Sequence, residues 1–106
     1  MIATDESYTS PSYIKEYPLV VDRGEGTMVQ DVDGNRFLDF MAGIAVVTTG
    51  HSHPKVVEAI KRAAEKFLHI CPTDFYYPSF AALAKKLAEI APGPSPKKVF
   101  LGNSGA

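Results

Sequence analysis

Ser104-Gly105-Ala106 closes the sequence, directly after a short apolar run, Val99-Phe100-Leu101, and the small residues Gly102 and Asn103. A strand followed by a glycine-containing loop commonly opens a helix. The exposed backbone N–H groups at such a junction attract an anion, above all a phosphate. A turn that merely redirects the chain uses the same residue types, so on this stretch alone both readings stand. No helix follows to supply the dipole, and the pattern predicts the front part of a larger protein.

Other residues with chemical potential are weaker candidates. His51 and His53 stand two residues apart without a Cys or carboxylate cluster, which falls short of zinc spacing, so no metal site is assigned. The expectation is that one imidazole bonds backbone near a helix start and the other is partly exposed. Cys71 has neither a helix start nor a neighbouring base, so it is expected to be a buried, inert thiol. Phe75-Tyr76-Tyr77 fits packing or the wall of a pocket. No set of residues here runs a reaction unaided.

The elements that would position these residues are legible as patterns. Residues 1–12, rich in Ser, Thr, Asp and Pro, are expected to lie loosely on the surface. Tyr13–Tyr17 could form a helical turn before Pro18. Leu19-Val20-Val21 reads as a strand stopped by Gly24-Glu25-Gly26. Thr27–Val32 and Asn35–Phe40 flank Asp33-Gly34, a strong hairpin signal. A two-residue loop would oppose Asp31 to Arg36 and Val29 to Leu38, with Phe40 on the same apolar face. Met41–Gly50 is apolar and small, a buried connecting segment of the kind that lines sites.

Pro54 opens a helix in which Val56, Ile60, Ala63 and Phe67 share a stripe and Glu58 can pair with Arg62. Ser79 is expected to cap a second amphipathic helix carrying Phe80, Leu83, Ala84, Leu87 and Ile90 on one side. Pro92-Gly93-Pro94-Ser95-Pro96 ends it and marks a domain boundary. The fold class is therefore α/β, or α+β for the segment taken alone: an antiparallel meander, two amphipathic helices and an opening strand at Val99–Leu101.

The composition excludes several functions. Over 106 residues, 11 basic side chains against 12 acidic ones leave a net charge of −1, which offers no electrostatic footprint for nucleic acid or an anionic membrane. No apolar run approaches the roughly 20 residues of a membrane span. The polar, acidic start lacks the basic and apolar regions of a secretory signal, and the one cysteine cannot form an internal disulfide. A cytoplasmic protein is expected.

Taken together the motifs are more specific. Asp31-Val32-Asp33-Gly34-Asn35, Leu38-Asp39-Phe40, Gly43-Ile44-Ala45-Val46 and Gly50-His51-Ser52-His53-Pro54 follow one another at tight spacing. From about Tyr17 to Ala106 the sequence resembles the N-terminal part of class III pyridoxal-phosphate aminotransferases, those acting on 4-aminobutyrate, acetylornithine and other ω-amino acids. The resemblance implies a fold-type I homodimer. Residues 1–17 would be an arm, 18–94 the N-terminal small-domain segment, and 95–106 the start of the cofactor-binding large domain.

It further implies that Ser104, Gly105 and Ala106 bind the phosphate of pyridoxal 5'-phosphate through backbone N–H groups. Ile44 would line the substrate pocket, with Thr73 near it, although Pro72-Thr73-Asp74-Phe75 departs from the commoner family versions. The cofactor lysine, the aspartate on the ring nitrogen and the stacking aromatic fall downstream of Ala106, so no catalytic residue is assigned. The implied partners are a small amino acid and a 2-oxo acid. A racemase, epimerase or aminomutase of the same fold would carry the same motifs. A non-catalytic dimerisation module is the alternative outside enzyme chemistry.

Overall fold

The computed structural model describes residues 1–105, which fall into two compact units, the first Met1–Glu65 and the second from Lys66 onward. The first opens with helix α1 (Ile2–Tyr8), where a loose segment was expected from composition. The Ser7 hydroxyl donates to Ala3 O and the Thr9 hydroxyl to the Asp5 carboxylate, so polar side chains close this short helix on itself. Tyr13–Tyr17 carries no helix.

The meander is present as an antiparallel sheet in the order β1 (Val21–Glu25), β2 (Met28–Asp31), β3 (Arg36–Leu38). Strand β1 starts later than the Leu19 triplet and runs through Gly24, with an irregularity between Val21 and Arg23 that leaves Asp22 over. Gly24 belongs inside this strand for a steric reason. A Cβ there would lie 2.6 Å from Cγ and 2.8 Å from Cβ of His51.

The hairpin register differs by one residue from the expected one. Met28 pairs with Leu38, Val29 with Phe37 and Gln30 with Arg36. The loop is Val32-Asp33-Gly34, because the Asp31 N–H bonds Asn35 O at 3.0 Å. The Asp31 carboxylate decides this. Its Oδ1 accepts the N–H groups of Asp33 (3.0 Å) and Asn35 (2.8 Å), and its Oδ2 accepts Asn35 Nδ2 (2.9 Å). Gly34 completes the turn at φ +88°, as a three-residue loop with a left-handed last position requires. One step of register turns every side chain over, so Val29 shares its face with Phe37 rather than Leu38. Phe40 is 91% exposed instead of joining an apolar face.

After β3 comes α2 (Ala42–Ala45), a single helical turn of the opposite hand, described below. Met41–Gly50 is mostly exposed, not the buried connection expected. Helix α3 (Pro54–Ala64) begins at the predicted proline and bears the Glu58–Arg62 pair at 3.3 Å, but stops before Phe67.

In the second unit, Phe67 instead packs edge-on to Tyr77, with ring centroids 5.8 Å apart, and Tyr77 packs against Phe80 at 5.5 Å. Helix α4 (Pro78–Ile90) starts one residue before Ser79, so that serine lies inside it. Pro78 holds the first helical φ and forces Tyr77 to remain extended. At the other end Lys97 Nζ donates to Ala88 O at 3.3 Å, a cation against the helix's last carbonyls. The Ser95–Pro96 bond is cis. Val99–Leu101, expected as a strand, has no ladder partner among the described residues and is irregular. Among those residues no apolar side chain is fully buried, and only Asp31, at 7% exposure, is withdrawn from solvent.

Candidate functional site

The candidate residues stand on three loops. Ile44 belongs to the first unit; Thr73, Ser104 and Gly105 belong to the second. Ile44 sits in the middle of α2, whose residues Ala42, Gly43, Ile44 and Ala45 have φ of 50°, 64°, 58° and 62°. This is a left-handed turn. The Ala45 N–H bonds Met41 O and the Val46 N–H bonds Ala42 O, both at 2.9 Å. Left-handed geometry costs an L-residue roughly 1–2 kcal/mol, so Ala42, Ile44 and Ala45 together oppose this turn by about 3–6 kcal/mol. A β-branched residue such as Ile44 is especially uncommon there. Its side chain is 85% exposed.

Strain of this kind persists only where neighbouring groups over-determine the backbone. Asp39 supplies them. Its own N–H extends the β2–β3 ladder to Thr27 O at 2.8 Å. Its Oδ1 accepts the N–H groups of Met41 (2.7 Å) and Ala42 (3.0 Å) at the mouth of α2. Its Oδ2 meets His51 Nε2 at 2.5 Å. The His51 hydrogen bond, followed by those from Ala42 and Met41, holds the Asp39 carboxyl below the usual carboxylate range. His51 is fixed in turn by a two-way backbone bridge to Gly26, at 2.8 and 2.9 Å, and by its seat on Gly24.

The histidines therefore differ from expectation. The His51 imidazole bonds a carboxylate rather than backbone, because the Gly26 bridge brings it beside Asp39. His53 O accepts the Val56 and Val57 N–H groups as α3 begins, while His53 Nδ1 is enclosed without a hydrogen-bond partner. No cluster of three or more metal-ligating side chains occurs among the described residues. The Asp39–His51 pair was missed from sequence. Asp39, placed two and three residues before the N–H groups it caps, is a recognisable capping signal; its partner twelve residues away has no local one.

In the second unit the Thr73 hydroxyl lies 2.9 Å from Cys71 Sγ and 3.5 Å from the Asp74 carboxylate. Cys71 is half-buried rather than buried, and the Thr73 hydroxyl, then the Thr73 N–H, draw its thiol pKa below the ordinary value. Tyr77 is engaged in packing, whereas Phe75 and Tyr76 are exposed. In the final loop Ser104 and Gly105 are exposed, and the Ser104 carbonyl comes within 3.4 Å of where a Gly102 Cβ would stand. A Cβ on Gly105 would meet nothing within 4 Å, so the backbone there is open to an approaching group. Ala106 lies outside the described residues. A groove of about 410 Å³ beside α1, lined by Ile2, Asp5, Lys15, Tyr17 and Leu19 among others, contains none of the candidates.

An antiparallel meander, amphipathic helices and an open small-residue loop make up an α/β segment. The family Aminotransferase class-III matches residues 9–106, and the chain belongs to that family. It is 43% identical over 99 residues to isoleucine 2-epimerase of Lentilactobacillus buchneri, covering 93% of this chain and 22% of that protein. It is 50% identical over 84 residues to a probable 4-aminobutyrate aminotransferase of Bacillus subtilis strain 168, covering 79% and 19%. The acetylornithine aminotransferase structure from Elizabethkingia anophelis superposes with a TM-score of 0.77 at 35% identity, over 84% of this chain and 23% of that one. The chain thus spans about a fifth of the curated relatives it matches.

Proposed function

We propose that this chain is the N-terminal part of a pyridoxal-phosphate aminotransferase that moves an amino group from an ω- or α-amino acid, of the 4-aminobutyrate kind, to a 2-oxo acid. The observation that carries the reading is the family match from residue 9 through the final small-residue loop. The loop suits a phosphate: Ser104 and Gly105 are exposed, and Gly105 leaves its backbone uncovered. The N–H groups of Ser104, Gly105 and Ala106 would hold the phosphate of the cofactor. When bound, the cofactor supplies an electron sink for the carbanion formed at the substrate's amine-bearing carbon. Ile44 would present an apolar wall to the substrate's methylene chain, and the Thr73 hydroxyl a polar contact. Residues 1–17 would be an arm, 18–94 a small-domain segment and 95–106 the start of a large domain, in a cytoplasmic homodimer.

The test is amino transfer by the full-length chain with pyridoxal phosphate, 4-aminobutyrate and 2-oxoglutarate, followed by product analysis. Formation of glutamate supports the reading; no transfer from any ω- or α-amino acid refutes it. A second reading, epimerisation of a branched amino acid, is favoured by the 43% identity to isoleucine 2-epimerase. It predicts inversion of L-isoleucine at its α-carbon without any 2-oxo acid acceptor.

A further inference from the structure

Asp39 and His51 have no part in the chemistry proposed above, yet their carboxylate–imidazole pair sits at the mouth of a turn of unfavourable backbone. Three non-glycine residues, Ala42, Ile44 and Ala45, are held at φ between 50° and 62°. Left alone, such residues return to negative φ. The N–H groups at the mouth of this turn end on Asp39 Oδ1, and the other oxygen of the same carboxylate ends on His51. His51 cannot drift, since its backbone is bridged both ways to Gly26 and its ring rests on Gly24.

We propose that Asp39 and His51 are positioning residues: the pair clamps the left-handed turn Ala42–Ala45 against β1–β3 and thereby fixes where Ile44 stands for the amino donor. The clamp runs from the sheet (the Gly26 bridge and the Asp39–Thr27 bond) through one carboxylate to the turn. The mechanism is preorganisation. The turn is already set before substrate arrives, so no binding free energy is spent ordering it. The substrate part of this inference rests on the reading of Ile44 as a pocket wall; the clamp itself does not.

The variants to compare in the full-length chain are His51→Phe, which keeps an aromatic ring but removes the donor, and His51→Gln, whose amide nitrogen can reach the Nε2 position. Crystal structures read φ at residues 42–45 directly. His51→Phe is expected to return Ile44 to negative φ or leave α2 without a single conformation, while His51→Gln keeps it positive. With 4-aminobutyrate as donor, His51→Phe should raise KM about tenfold, equivalent to about 1.4 kcal/mol, with kcat changed less than about twofold. His51→Gln should stay near the parent. Affinity for pyridoxal phosphate, read by absorbance titration, should not move in either variant; a parallel loss of cofactor affinity and kcat would mean general unfolding and would overturn the positioning role.

A His51→Phe structure with the turn still at positive φ sinks the clamp outright. Ile44→Ala separates the two layers. If it leaves KM unchanged while His51→Phe collapses the turn, Ile44 is not a pocket wall and the proposed donor site fails, but the clamp stands.

Discussion

Replacing Gly24 by alanine would put a methyl group where the ring of His51 already lies. The added Cβ would be 2.6 Å from His51 Cγ and 2.8 Å from its Cβ. Carbon atoms settle at roughly 3.5–4.0 Å, so the ring would have to retreat by about 1 Å. The backbone hydrogen bonds to Gly26 and the bond to Asp39 both resist that movement. Overpacking of this kind costs about 1–3 kcal/mol, while alanine in place of glycine inside a strand returns about 0.5–1 kcal/mol. The expected net loss is therefore between about 0 and 2.5 kcal/mol, centred near about 1 kcal/mol, read as a lower urea midpoint for the full-length chain. Gly26→Ala is the control. It meets nothing within 4 Å and suffers only from its φ of +57°, about 1 kcal/mol, without disturbing His51. In a His51→Gly background, which removes both the ring and the Cβ that the new methyl would meet, the Gly24 penalty should vanish and the sign reverse. An equal penalty in both backgrounds would refute the steric argument.

Other predictions concern the carboxylates, the thiol and a surface pair. Hydrogen bonds to Asn35, its side chain first, lower the pKa of Asp31, and those to His51, Ala42 and Met41 lower that of Asp39. At acidic pH the unfolded chain then binds more protons than the folded one at these two sites. Their stabilisation is complete above the unfolded value of about 3.9 and is lost as pH falls through the lower folded values. Thermal melts between about pH 5 and pH 2 should show this, and Asp31→Asn should flatten the dependence. Thr73→Val removes the hydroxyl that favours the Cys71 thiolate, so iodoacetamide should alkylate Cys71 more slowly near neutral pH. Glu58→Gln breaks an exposed helix pair and should shift stability by no more than about 0.5 kcal/mol, an effect that salt erases.

What was legible in the sequence is local. Pro54 marks the first turn of α3, and the 3.6-residue pattern locates α4, although its start falls at Pro78 rather than after a Ser79 cap. Asp33-Gly34 located the hairpin but not its register, because the deciding contacts come from the Asp31 side chain to Asn35 rather than from the turn dipeptide. The hand of α2 was invisible, since Ala-Gly-Ile-Ala contains three residues that resist positive φ. The determinant is Asp39, and its tether His51 is twelve residues further on. The proposed site residues came from motif order rather than from chemistry. Thr73, Ser104 and Gly105 have small or polar side chains that many loops share.

The bridge between Gly26 and His51 also orders events in time. Strand β3 ends at Leu38, and His51 follows 51 − 38 = 13 residues later. At roughly 5–20 residues per second of synthesis, that gap lasts about one to three seconds, whereas a hairpin forms in about 1–10 μs. The sheet therefore samples its pairing very many times before the residue that locks Asp39 leaves the ribosome. The left-handed turn, lying between the two, is written into the nascent chain early and acquires its shape only retrospectively.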